Sequence, residues 1–250
     1  MGEDLDATGM VKVSRSIDRM PASYYELADL AGLLYHTPLL EARLYRYPAF
    51  LGLAETPEFQ GLLNDKQFTE LWQKQVPIRQ LIDYPGVKSI LDNPGTLNSV
   101  WAVLQPNFQD LGTFLTNGVS PKFDAEKILG RWDFDVNPTI GLLRRTRPTI
   151  SSGEMLRVRR YIAASFGGTT LVAMPDHRAL LKNYPHVKMV SGTPTTEMLN
   201  IEGQWARSGD EYTLSYTLDG KAEEATVAIQ VDRLTFSPSQ GLGLVLVRED

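Results

Sequence analysis

The apolar positions of this chain follow two different periods. From Ser23 they recur at helical spacing: Ser23 and Glu26 stand at capping-box distance, and Leu27, Leu30 and Leu34 then share one face. Pro38 interrupts the run. Beyond it, short apolar groups each follow a proline, as in "PEFQGLLND" from Pro57, "PIRQLID" from Pro77, "PGVKSILDN" from Pro85 and "PNFQDLG" from Pro106. Proline fits the first turn of a helix, where its missing N–H has no intrahelical partner and its φ is already suitable. Asp and Asn after the apolar residues suit turns. The pattern predicts a layer of short, proline-initiated helices. Its longest internal match sets Pro57 to Trp72 against Pro85 to Trp101 with one residue inserted, and predicts both tryptophans as core residues. The spacing drifts too much for a regular solenoid.

After about Lys127 the period falls to two. In "GRWDFDV", Gly130, Trp132, Phe134 and Val136 take one side of a strand, while Arg131, Asp133 and Asp135 take the other. Further strands are predicted at 169–174, 187–190, 197–206, 211–218, 225–231, 233–236 and 242–248, with 178–181 undecided. The Asp-Gly pair of "LDGK" (Leu218 to Lys221) is the preferred centre of a type I′ hairpin. Such tight connections make sequence neighbours antiparallel neighbours, and about eight strands can close into a small barrel without exposed edges. One helix interrupts the series at 152–166, with Ser151 and Glu154 as its capping box, and is expected to plug or cover one end. The last strand is apolar on both faces, Leu242, Leu244 and Leu246 against Val245 and Val247. One face is internal, so the helical half is expected to cover the other, the two docking as one rigid unit. The fold class is therefore α+β: a flexible N-terminal segment at 1–22, a helical domain at 23–126 and an antiparallel β-barrel of about eight strands with one inserted helix at 127–250.

Composition narrows the function classes. With 42% hydrophobic and 22% charged residues among 250, the chain is that of a globular protein. A net charge of -5 opposes general nucleic-acid binding, so any anion site must be local. The absence of cysteine removes disulfides, thiolate metal sites and thiol nucleophiles. The longest uncharged run, Asn93 to Gln109, is too short and too polar for a spanning helix, and the acidic start "MGEDLDATGM" lacks the order of a secretory signal.

The stretch "ILGRWDFDV" returns in altered form as "IEGQWARSGD", with Gly130 and Trp132 answered by Gly203 and Trp205. Glycine two residues before tryptophan shares its strand face and leaves room for a close neighbour. Gly130-Arg131-Trp132 resembles the Gly-x-Trp signature of lipocalin-like (calycin) barrels, in which an arginine of the last strand packs over the tryptophan. Arg248 in "LGLVLVRED" stands where that partner would be. The Thr-Asp-Tyr element of true lipocalins is missing. In the helical half, "LLYHTPLLEARL", "PEFQGLLND" and "PGVKSILDNP" resemble the segment that follows the transmembrane helices in long bacterial members of the colicin V production (CvpA) family. That resemblance implies a location beside a bacterial inner membrane, on its outer side, with a membrane-protein partner or a spanning region absent from this sequence. It implies no known chemistry.

Candidate chemistry is sparse. His36, His177 and His186 lack metal-ligand spacing, so no metal and no cofactor is expected. Asp133 and Asp135 share a strand face, as an acid–base pair would, but alternation already turns that face to solvent. Arg131, Arg144, Arg145, Arg147, Arg157, Arg159 and Arg160 crowd a region with few acids, and arginine grips carboxylate and phosphate with two donors. Arg157 and Arg160 share a helix face. The expected binding residues are Arg145, Arg157 and Arg160 for an anion or lipid headgroup, with Trp205 and Tyr212 lining any ligand space. Gly130, Trp132 and Arg248 form the structural motif. The function read from these features is a non-enzymatic extracytoplasmic scaffold or a binder of a small apolar or anionic molecule. The alternatives are an enzyme with its site in the barrel mouth, using Asp133 or Asp135 with Arg145, and a pure protein-interaction module.

Overall fold

Prolines open several helices of the first half. In the computed structural model, which describes residues 22–37, 40–74, 76–190 and 193–249, α1 (Ala22–His36) and α2 (Glu41–Tyr45) precede α3 (Pro48–Ala54), α4 (Pro57–Leu63), α5 (Lys66–Gln73), α6 (Ile78–Ile82), α7 (Pro85–Leu91), α8 (Pro94–Leu104) and α9 (Phe108–Asn117). The expected flexible arm, except for Ala22, and the break at Pro38 lie outside the described residues. Pro48, Pro85 and Pro94 occupy first turns, Pro77 caps α6, and Pro106 sits in the 3-10 turn that leads into α9.

The internal match is a two-helix unit, α4–α5 and again α7–α8. Asp65 and Asn93 hold the same place in it, each accepting two backbone N–H groups at the start of the second helix. Gly86 lets the two copies approach, because a Cβ there would lie 2.9 Å from Leu62 Cδ1. The Tyr84 hydroxyl donates to Asp65. That bond holds the carboxyl below its ordinary range and pushes the phenol above its own. Trp72 is not a core residue: it ends a two-turn helix, is 41% exposed and rests beside Phe68. Trp101 is half-buried, edge-on to Phe108 at 5.7 Å. Helices this short each bury only a narrow stripe, here Leu30, Ile90, Phe108, Leu111 and Leu115.

In the second half, β1 (Gly130–Phe134), β2 (Thr170–Ala173), β3 (Arg178–Val190), β4 (Thr193–Ser208), β5 (Glu211–Leu218), β6 (Lys221–Gln230), β7 (Arg233–Pro238) and β8 (Leu244–Arg248) form a closed antiparallel barrel in sequence order. Closure is made by β1 against β8, with Trp132 opposite Arg248 and Phe134 opposite Leu246. Asp219 and Gly220 both have positive φ, at 52° and 73°, as a type I′ turn demands. The stretches read as 178–181 and 187–190 are one strand, broken in register between Leu181 and Tyr184, where Asn183 adopts φ 52°.

Two helices, not one, sit between β1 and β2: α10 (Val136–Thr146) and α11 (Ser152–Phe166). The Ser151–Glu154 capping box of α11 is formed on both sides. α10 was not anticipated, and it supplies the cover that the helical half was expected to give the last strand. Thr139 Oγ1, fully buried, accepts the Val245 N–H at 2.9 Å. Ile140 and Leu143 of α10 pack with Met155 and Ile162 of α11.

The segment Arg46–Thr56, within the range read as helical domain, belongs to the barrel unit, which continues from Phe123. Leu51 of α3 packs on Val172 and Met174, covering the outer side of β2. Glu55, at the end of α3, fixes it there. Its carboxylate, only 7% exposed, takes Arg131 Nη2 at 2.8 Å and Lys182 Nζ at 2.9 Å, so one acid clips the helix to β1 and β3. Removing one partner of so buried a network costs about 3 kcal/mol, far more than a surface pair returns.

Candidate functional site

The end of the barrel at the start of β1 is sealed by the opening motif. Gly130 has φ 135°, and a Cβ there would stand 2.6 Å from Arg248 Nη1, so both backbone and space require glycine. Trp132 is wholly buried, and its indole N–H donates to the Ile128 carbonyl at 2.8 Å. The Arg248 guanidinium lies 4.1 Å above the centroid of that ring. It donates to the Leu129 carbonyl at 2.7 Å and the Lys127 carbonyl at 2.8 Å, tying the incoming chain to the last strand. Burial lowers the pKa of Arg248, against the attraction of Asp232 and Asp124.

The second pair strengthens the same end. A Cβ on Gly203 would fall 2.6 Å from the Ser215 carbonyl oxygen, so β5 can approach β4 only because the side chain is absent. Trp205 donates its indole N–H to the Met174 carbonyl at 2.9 Å and its backbone N–H to the His177 carbonyl at 2.8 Å, holding the β2–β3 turn. The His177 ring lies 4.4 Å from the indole, and Tyr212 packs edge-on at 5.8 Å. The Tyr212 hydroxyl accepts the Lys127 N–H at 3.0 Å, and burial, then the charge of Glu126, pushes its pKa up. Trp205 and Tyr212, expected to line a ligand space, are here packing residues of the closed end.

The interior between the ends is filled by side chains, among them Leu171, Leu181, Leu214, Val227, Leu234 and Phe236. At the opposite end Tyr184, Leu199, Tyr216 and Leu218 are only partly buried. Phe166, the last residue of α11, meets Tyr184 edge-on at 5.9 Å and Phe134 at 5.8 Å, so the expected cover over one end is there in part. Burial pushes the Tyr216 phenol up to about 12, with Tyr184 and Glu223 adding to it. Burial also raises Tyr184. His186 Nε2 stands 3.0 Å from Asp219 Oδ2, an ion-pair distance off the line of a hydrogen bond.

The β4–β5 ladder starts only at Gly203 opposite Tyr216. Where the strands separate, a groove of about 280 Å³ is lined by Glu202, Gln204, Ser215, Tyr216, Glu223 and Glu224. Its charge is negative, which opposes an anionic occupant.

The other sequence candidates do not converge. Arg145, Arg157 and Arg160 are exposed on α10 and α11, outside the barrel, whereas Trp205 and Tyr212 are buried within it. Asp133 accepts a hydrogen bond from Thr170 Oγ1 at 2.8 Å, and Asp135 caps α10 by accepting the Asn137 N–H at 2.9 Å. Both carboxylates of the mooted acid–base pair thus hold structure together. Among the described residues no cluster of His, Asp and Glu is arranged to hold a metal, and the His36 side chain lies outside that description. Glu55 is the residue that sequence reasoning missed: its place after a helix gave no sign of the two cations waiting on β1 and β3.

Fold and geometry together define a class, an eight-stranded antiparallel meander barrel sealed by a tryptophan–arginine stack and preceded in sequence by short helices. No protein-family model matches the chain, and no curated protein matches it. No described helix is long and apolar enough to cross a membrane.

Two outcomes follow from this geometry. Replacing Arg248 by Met strands two carbonyls and removes the cation from the indole, and is expected to cost about 3 kcal/mol in urea unfolding followed by circular dichroism. R248K should recover less than half, since one ammonium cannot serve both carbonyls in the plane of the ring. Tyr216 gives the second. Its phenol is neutral in the fold up to about 12 but ionises at its ordinary 10 when unfolded. Between those values the unfolded chain holds fewer protons, so this contribution is complete below pH 10 and is lost as pH rises through 12. Tyrosinate absorbance should show a phenol titrating late, and Y216F should remove it.

Proposed function

We propose that this chain is a non-enzymatic scaffold module of the bacterial cell envelope, located on the outer side of the inner membrane and holding a membrane-protein partner in place. The observation that carries the reading is the filled barrel. Its sequence-predicted ligand residues Trp205 and Tyr212 are engaged with Met174, His177 and Lys127, and its central volume is occupied by aliphatic and aromatic side chains. Small-molecule sites are concave and apolar, commonly several hundred Å³. The groove beside β4 is open and acidic instead. The resemblance of the helical half to the soluble segment of long CvpA-family proteins supports the location, and the lipocalin-like motif at Gly130, Trp132 and Arg248 supports a barrel used as a rigid body.

A second reading, a binder of a small apolar molecule, draws on one observation: the phenols of Tyr184 and Tyr216 stand at the partly open end without hydrogen-bond partners among the described residues. A native mass spectrum of the purified chain separates the two. The scaffold reading expects the bare chain mass, and a stoichiometric co-purified molecule lost in Y184F/Y216F would replace it with the binder. The location has its own test. In bacterial spheroplasts, protease added outside should digest the tagged chain, and full protection would refute an extracytoplasmic site.

A further inference from the structure

The outer surface of α10 and α11 is strongly basic. Between residues 136 and 166 the chain has six arginines and one acid, Glu154, a net +5 in a protein of net charge -5, so that the remainder carries -10. All six, Arg144, Arg145, Arg147, Arg157, Arg159 and Arg160, are exposed, and none forms an ion pair among the described residues. Glu154 is already occupied in the capping box with Ser151. Arg159 donates to Asn137 Oδ1 at 2.7 Å, which links the two helices side by side.

The same face is apolar where it need not be. On α11, Met155, Val158, Ile162 and Phe166 make the inner stripe that packs on α10 and the barrel. Leu156 and Tyr161 point the other way, 51% and 58% exposed, and flank Arg157 and Arg160. A solvated face has no need of a leucine and a tyrosine among arginines. A helix lying on a lipid surface does: guanidinium groups bind the phosphates while aliphatic and aromatic side chains enter the headgroup layer.

We propose that the outer face of the α10–α11 pair docks on an anionic phospholipid surface. Charge complementarity argues for the partner's sign, and the interleaved Leu156 and Tyr161 argue for lipid over a purely polar polyanion. The proposal deepens the scaffold reading by naming the surface through which it meets the membrane. The membrane contact rests on these two helices alone, so vesicle binding can fail while the filled-barrel scaffold stands.

The test is co-sedimentation of the full chain with vesicles of phosphatidylcholine alone and of phosphatidylcholine mixed with phosphatidylglycerol. Binding is expected only to the mixed vesicles and should weaken steeply with added salt. Each arginine near an anionic surface is worth roughly fivefold in partitioning, so R145E/R157E/R160E should lower it roughly 100-fold or more. L156A/Y161A should weaken binding severalfold and leave the salt dependence in place. All the altered side chains are exposed, and an unchanged thermal melt verifies the fold; were the reversal variant to melt early, R145Q/R157Q/R160Q is read in its place. Equal binding to both vesicle types, retention of binding in the arginine variants, or capture by heparin without capture by the mixed vesicles would each overturn the proposal.

Discussion

Everything in the second half of this protein depends on a guanidinium held over an indole. An eight-stranded meander must join its first strand to its last, and that seam has no hairpin to set its register. Here the seam is set by Trp132 and Arg248, paired across β1 and β8. Burying a guanidinium costs several kcal/mol. Two charge-assisted bonds to Leu129 and Lys127, at about 2 kcal/mol each, and a partly desolvated cation–π contact of about 1 kcal/mol offset that cost. The balance is close, so the stack contributes register more than raw stability.

The surrounding structure follows from closing that seam. A closed barrel buries its interior whatever lies outside, but β2 and β8 also carry apolar outer residues, and each needs a cover. Val172 receives Leu51 from α3, and Val245 receives α10 through the buried hydroxyl of Thr139. Glu55 then resolves the charge problem such a cover creates. Laying α3 over the strands would desolvate Arg131 and Lys182, and one carboxylate answers both. The helix needs the acid as much as its leucine.

The sequence was legible where local chemistry dictates the backbone. "LDGK" had to be a tight hairpin because Asp-Gly tolerates two consecutive positive φ values, and Ser151 with Glu154 had to start a helix. The closed end was legible too, since glycine, tryptophan and arginine are chosen there for volume and charge that little else supplies. α10 received no reading from the sequence. An Asn-Pro pair commonly starts a turn, but here Asp135 caps the helix and Pro138 lies in its first turn, where proline is harmless. Trp72 misled for the opposite reason. Hydrophobic periodicity marks a face without saying that anything covers it, and a helix of eight residues has little length with which to bury an indole.

The candidate site was less legible than the fold because residue type does not report which side of a wall a side chain occupies. Trp205 and Tyr212 suit a ligand chamber and a packed floor equally well, and here the glycine at 203 decides for the floor by drawing β5 inward. The arginines show the converse. Their density was plain, but density is compatible with a convergent pocket or with a divergent face, and only the placement of α10 and α11 separates the two. Six like charges tolerate proximity when each can turn to solvent, and they would not tolerate a shared cavity without buried acids to oppose them. The groove beside β4 is lined by acids and the helix pair carries exposed arginines, so one unit presents surfaces of opposite sign.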